Sequence, residues 1–208
     1  MCHVEGIAGD AGWLEWRLAD SGNSKGEYTR MKSMTITLVA LAGAAAMYGQ
    51  NPLTTELKMQ YAQSKSTITK AADRMADADY SFKPAAGNTR TFAQVIGHIA
   101  DVQFAICGAA KGEQKRSDVE HSKTSKADVV AALKESFDYC DTAYNGLTDA
   151  TGAQMIKMFG GEQTRLGALY FNVIHATEMY GEIVVYYRAK GMVPPSTADR
   201  PAMGKKKE

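Results

Sequence analysis

The sequence predicts an all-α fold, a four-helix bundle, and three observations carry that prediction. Apolar residues recur at steps of three and four over four separate stretches of about twenty residues each. Polar segments marked by glycine or proline separate the stretches, and no internal repeat relates them. Four amphipathic helices of that length bury their apolar faces most simply against one another. The 208 residues suffice for one domain of ordinary size.

The first pattern covers residues 53–75, with Leu57, Tyr61, Ile68, Ala72 and Met75 on one side. Pro84 and Gly87 mark a loop after it. The second begins at Thr91-Phe92-Ala93-Gln94, a capping box in which threonine and glutamine side chains each accept from a backbone N–H of the first turn. It continues to residue 111, with Phe92, Ile96, Ile99 and Ile106 on its apolar side. Residues 112–125 are polar and read as a linker. The third pattern is Val130, Leu133, Phe137, Cys140, Tyr144 and Leu147, the seam of a bundle helix. Residues 149–163, with Gly160-Gly161, read as a turn beside short extended pieces. The fourth covers 165–190, with Leu166, Leu169, Tyr170, Val173, Thr177, Tyr180, Val184 and Tyr187 on one side. Gly191 suits the left-handed position past a helix end, and Pro194-Pro195 stop any continuation. The bundle is thus expected over 51–196 and a disordered tail over 197–208. Fully extended, the 14 residues of the linker reach about 45 Å. A twenty-residue helix spans about 30 Å, so the second and third helices are free to point the same way.

Residues 31–50 read as a secretory signal peptide: Lys32 supplies a basic start, Thr35 to Met47 a mostly apolar core, and Ala42 to Ala46 small residues near its end. The core is too short for a membrane span, which needs about 20 residues. No cysteine follows it, so no lipid or other stable membrane anchor is expected. Residues 1–30 are polar and carry Glu5, Asp10, Glu15, Asp20 and Glu27, which would bury the signal inside the chain. Translation is therefore expected to start at Met31 or Met34, with 1–30 a mis-called extension. The other reading is a disordered tail ahead of a buried apolar segment. The expected location is periplasmic or secreted.

Charge excludes little but argues against nucleic acid: 24 Lys+Arg face 23 Asp+Glu, and the one basic run is Lys205-Lys206-Lys207 at the end of the chain. Cys107 and Cys140 read as small buried hydrophobes with free thiols. A bridge between them is open only if the second and third helices run the same way, because only then do their levels match. No phosphate loop, nucleophile elbow or Cys-x-x-Cys pair is present.

The side chains that carry chemistry are few. His98 lies mid-way along the second helix in Ile96-Gly97-His98-Ile99-Ala100-Asp101, and His175 mid-way along the fourth. Met179 follows His175 by four residues and shares its face, with Asn172, Glu178 and Glu182 at the flanks. Asp101, one turn after His98, is placed to orient it. His121 sits in the polar linker.

Pro84, Arg90, Phe92, the Ile96–Asp101 run and the stretch from His175 to Pro195 together resemble the DinB-like domain family, over about residues 53–196. The resemblance implies a bundle in up-down-down-up order. It also implies a metal site with one histidine from helix two, matched by His98, and a His-x-x-x-His pair from helix four. His175 matches the first of that pair and Met179 stands at the second. Thioether is a poor ligand for zinc or nickel, the divalent ions the family pattern suits, and a better one for copper(I). The expected function is accordingly a binding module for a small molecule or a protein, with a degraded metal site. The alternative is a metal-dependent enzyme, a thiol-dependent transferase or a hydrolase, with Glu178 or Glu182 completing the site. A structural homodimer is a third class.

Overall fold

The computed structural model describes residues 51–200. The expected signal, the extension before it and residues 201–208 lie outside the described residues. Helix α1 (Pro52–Arg74) opens with proline, whose fixed φ and missing N–H suit the first helical position. Its next N–H groups are satisfied from afar: Leu53 and Thr54 donate to the Asp149 carboxylate, at 3.3 and 2.9 Å. The Asp149 N–H returns a bond to Asn51 Oδ1 at 2.8 Å. Helix α2 (Phe92–Lys111) starts with the expected capping box and ends at Gly112, φ 78°. It is the central element, buried on most sides.

A short α3 (Val119–Ser122) interrupts the polar stretch expected to be plain linker, and buries Val119 against Ala100 and Ala132. Helix α4 (Lys126–Asn145) is capped by Ser125, whose hydroxyl accepts from Asp128 N–H. A one-turn α5 (Asp149–Gly152) leads into an antiparallel hairpin of β1 (Met155–Met158) and β2 (Gly161–Thr164). The all-α prediction is corrected by this two-stranded sheet. It packs Met158 and Ile156 onto Ile106, Val102 and Ala168. Helix α6 (Arg165–Ala189) follows at once, and Gly191 takes the left-handed conformation, φ 70°. The order continues past residue 196, where the sequence reading began the tail: α7 (Pro195–Ala198) forms a turn, and Asp199 pairs with Lys70 and Arg74 at 2.9 Å each.

The four large helices pack as neighbouring pairs, α1 with α4, α4 with α2, α2 with α6 and α6 with α1. The start of α1 meets the end of α4, where Lys58 Nζ donates to Leu147 O at 2.8 Å. The end of α1 meets the start of α4, where Lys126 Nζ donates to Met75 O at 2.9 Å. Tyr187, late in α6, donates to Ala71 O, late in α1, at 2.6 Å. Tyr186 donates to Arg90 O, just before α2, at 2.6 Å. Along α2 and α4 like levels meet: Phe104 with Tyr139, ring centroids 5.7 Å apart, and Cys107 with Cys140.

That last pair is bridged, with Cα atoms 5.3 Å apart. The expectation of free thiols is therefore wrong. Burial is as expected, both sulfurs being fully enclosed, but two enclosed cysteines at matched levels on adjacent helices are within bonding reach.

The inner face of α6 also differs from the reading. Met179, Ile183 and Tyr186 are buried, whereas Tyr170 is 57% exposed and Thr177 is exposed. Apolar residues surround this helix, so their spacing does not single out one stripe.

Candidate functional site

His98 and His175 meet between α2 and α6. Their Nε2 atoms lie 3.3 Å apart, with the rings tilted at 55°. On the far side of its ring, His98 Nδ1 lies 2.7 Å from Glu120 Oε2. The contact of Nδ1 with that carboxylate fixes the ring so that Nε2 faces its partner. The other carboxylate oxygen of Glu120 accepts from Arg90 Nε at 2.8 Å.

Glu120 comes from α3, and its position has a local cause. Asp101 accepts from Val119 N–H at 2.8 Å, Glu120 N–H at 2.9 Å and Ser117 Oγ at 2.6 Å, so it holds the N-terminal end of α3. Gly97 lets the two backbones touch: a Cβ there would lie 2.8 Å from Glu120 Cα and N. One turn of chain is thus clamped onto α2 beside His98.

Burial penalises the Glu120 carboxylate, but its hydrogen bonds from Arg90 and His98 outweigh that and hold it below the usual range. The hydrogen bond to Glu120 likewise raises the Arg90 guanidinium against desolvation. Burial pushes His175 down to about 4, and the charges of His98 and Arg90 add to the effect. His175 is therefore a neutral imidazole at pH 7.

The structure brings together His98 and His175 as the sequence suggests. Met179 lies one turn beyond His175 and is 8% exposed. Other expectations fail. Asp101 binds α3 rather than orienting His98; Glu120 does the orienting. Glu178 is exposed and lines a separate groove, and Glu182 Oε1 contacts the Tyr186 hydroxyl at 3.4 Å. His121 is exposed. Glu120 was missed because it sits in a polar stretch with no periodicity, where a structural carboxylate looks like any solvated one. Asn172, at the flank of the site by sequence, instead donates to Gln103 Oε1 at 2.9 Å and to the Tyr144 hydroxyl at 3.1 Å, beside the disulfide.

At the third sequence position of the divalent-metal site that the resemblance implies, this chain carries a thioether, Met179, in place of an imidazole. Such a site keeps three nitrogen or carboxylate ligands. Among the described residues no group of three His, Cys, Asp or Glu side chains is placed to hold an ion. Glu120 is committed to Arg90 and to the back of His98, and the third position offers only a thioether.

A concavity lies between α1 and α6. It measures about 940 Å³, and Leu53, Leu57, Leu166, Tyr170, Val173 and Ile174 supply its apolar walls.

The profile of the DinB superfamily matches residues 60–183. The chain belongs to the DinB superfamily. Two solved structures show the same fold. A DinB-like protein from Bacillus cereus aligns with a TM-score of 0.58 and 16% identity, over 67% of this chain and 93% of that one. A DinB-like protein from Bacillus subtilis aligns at 0.55 and 17%, over 66% and 94%. No curated protein matches the sequence.

Proposed function

We propose that this DinB-superfamily bundle is an exported binding module whose family metal site is degraded. The observation that carries the reading is the donor set: two facing imidazoles, a thioether where a third borderline ligand is needed, and a nearby carboxylate already neutralised by Arg90. The apolar groove between α1 and α6 supports the binding role, since its size and lining suit a small molecule with an apolar body. The up-down-down-up order belongs to the same reading, supported by the ends that meet across the pairs α1–α4, α1–α6 and α2–α6. The Cys107–Cys140 bridge supports export, because such bonds persist in oxidising compartments.

The test is Met179→His. Wild type should gain little thermal stability from zinc or nickel, and the variant should gain clearly. A ligand at about 100 times its dissociation constant stabilises by about 2.7 kcal/mol. The lost methionine packing costs about 1–2 kcal/mol, so the metal outweighs it. An equal gain in wild type would refute the degraded-site reading. One observation favours the alternative, a metal-dependent enzyme: the two Nε2 atoms already stand at a separation that two ligands of one ion adopt.

A further inference from the structure

We propose that the groove between α1 and α6 takes an organic cation with an apolar tail, an inference that rests on the binding role proposed above and names the class of molecule. The groove measures about 940 Å³, within the usual range for a small-molecule site. Leu57 and Val173 are buried and form an apolar floor, whereas Leu53, Tyr170 and Ile174 are exposed and form apolar rims. From Leu166 to Glu178 the α6 wall runs about 18 Å. An apolar chain laid along that wall removes rim surface from water, which is the favourable part of binding.

Charge decides the head of the ligand. The lining carries two carboxylates, Glu56 from α1 and Glu178 from α6, and no lysine, arginine or histidine. Among the described residues neither carboxylate takes part in an ion pair. Cations close by in sequence are turned elsewhere. Lys58, two residues after Glu56, donates to Leu147 O at 2.8 Å. His175, three residues before Glu178, faces His98, and Arg165 stands between Thr164 and Leu166 without lining the groove. The threonine hydroxyls of the lining are engaged with α6 itself: Thr164 Oγ1 accepts from Gly167 N–H at 3.0 Å, and Thr177 Oγ1 donates to Val173 O at 2.8 Å. An apolar trough with a negative charge on each wall and no positive one attracts a cation and repels an anion of the same shape. Tyr170 adds an exposed aromatic ring, whose face favours an organic cation. A compact polar cation gains nothing from the apolar floor, so the ligand that fits joins an ammonium head to an apolar tail.

The experiment uses the full chain and three probes that share one tail and differ in the head: octylammonium, octanol and octanoate, each titrated by calorimetry at neutral pH and low salt. Octylammonium should bind tightest and octanoate weakest, with the cation about fivefold tighter than the alcohol, as one exposed ion pair at the top of its range supplies. Salt at about 1 M should bring cation and alcohol together. The double variant Glu56→Gln, Glu178→Gln should do the same at low salt and leave octanol binding unchanged; both residues are exposed, so the fold is not at stake. Ile174→Lys, at an exposed lining position, puts a cation into the groove and should turn the preference toward octanoate. Wild type binding octanol or octanoate as tightly as octylammonium would overturn the cation preference and leave the binding role standing. A preference for octylammonium that survives both the glutamine pair and Ile174→Lys would place it outside this groove and overturn the inference. Binding of none of the three probes would overturn the binding role as well.

Discussion

Removing the Cys107–Cys140 bridge should destabilise the bundle by an amount set mainly by the chain it closes. The bonded residues are 33 apart in sequence, and the enclosed chain includes the polar stretch between α2 and α4. Closing a loop of that length removes unfolded-state entropy equivalent to about 3.7 kcal/mol at 25 °C. For a domain of this size, that corresponds to a fall in Tm of about 7–15 °C. The variant to make is Cys107→Ala, because the thiol left at Cys140 keeps acceptors close by, Gln103 Oε1 at 2.9 Å and Gln103 O at 3.3 Å. Thermal unfolding followed by circular dichroism should show the variant insensitive to reductant. Wild type should fall nearly to the variant's Tm once its bond is reduced. A thiol count on unfolded, unreduced wild type should find neither of these cysteines free. Free thiols at both Cys107 and Cys140, or a wild-type Tm that reduction leaves unmoved, would refute the argument.

Gly97→Ala should cost about 1–3 kcal/mol, since the new methyl meets the backbone of Glu120 at 2.8 Å and that chain cannot yield as a side-chain tip would; denaturant unfolding measures it. Phe159→Asn should stabilise by about 1 kcal/mol. Phe159 and Gly160 both hold positive φ, 51° and 82°, in a two-residue turn that favours Asn-Gly, and the ring is 67% exposed. Its edge contact with Phe171, at 6.3 Å, offsets part of the gain, and a lower Tm in the variant would refute the strain. Stability should fall as pH drops from about 6.5 toward 4. Over that window the unfolded His175 takes up a proton that the folded one, held down to about 4, refuses, so the unfolded state binds more protons and acid favours it. Glu120, also held low, loses its contribution at the acid end in the same direction. His175→Gln should flatten the upper part of the profile, and an unchanged profile would count against the buried neutral imidazole.

Much of the bundle was legible because local rules decide it. Thr91 and Gln94 specify the start of α2, Gly191 the end of α6, and the three- and four-residue steps of α1 and α4 their inner faces. The same steps failed on α6, where apolar residues on every side leave Met179 and Tyr186 indistinguishable from Tyr170 until neighbours are in place. His98 and His175 could be paired on sequence because their place mid-helix and the family resemblance mark them. Nothing local marks Glu120, the pairing of Arg90 with it, or the bridge between Cys107 and Cys140. Each depends on segments distant along the chain being brought within bonding reach, and a helical period carries no information about which other helix will stand opposite. The sequence by itself determined the four long helices, the cap of α2, the end of α6 and two of the facing side chains. The tertiary structure decided which face turns inward, which carboxylate holds His98, and that the two buried sulfurs are joined.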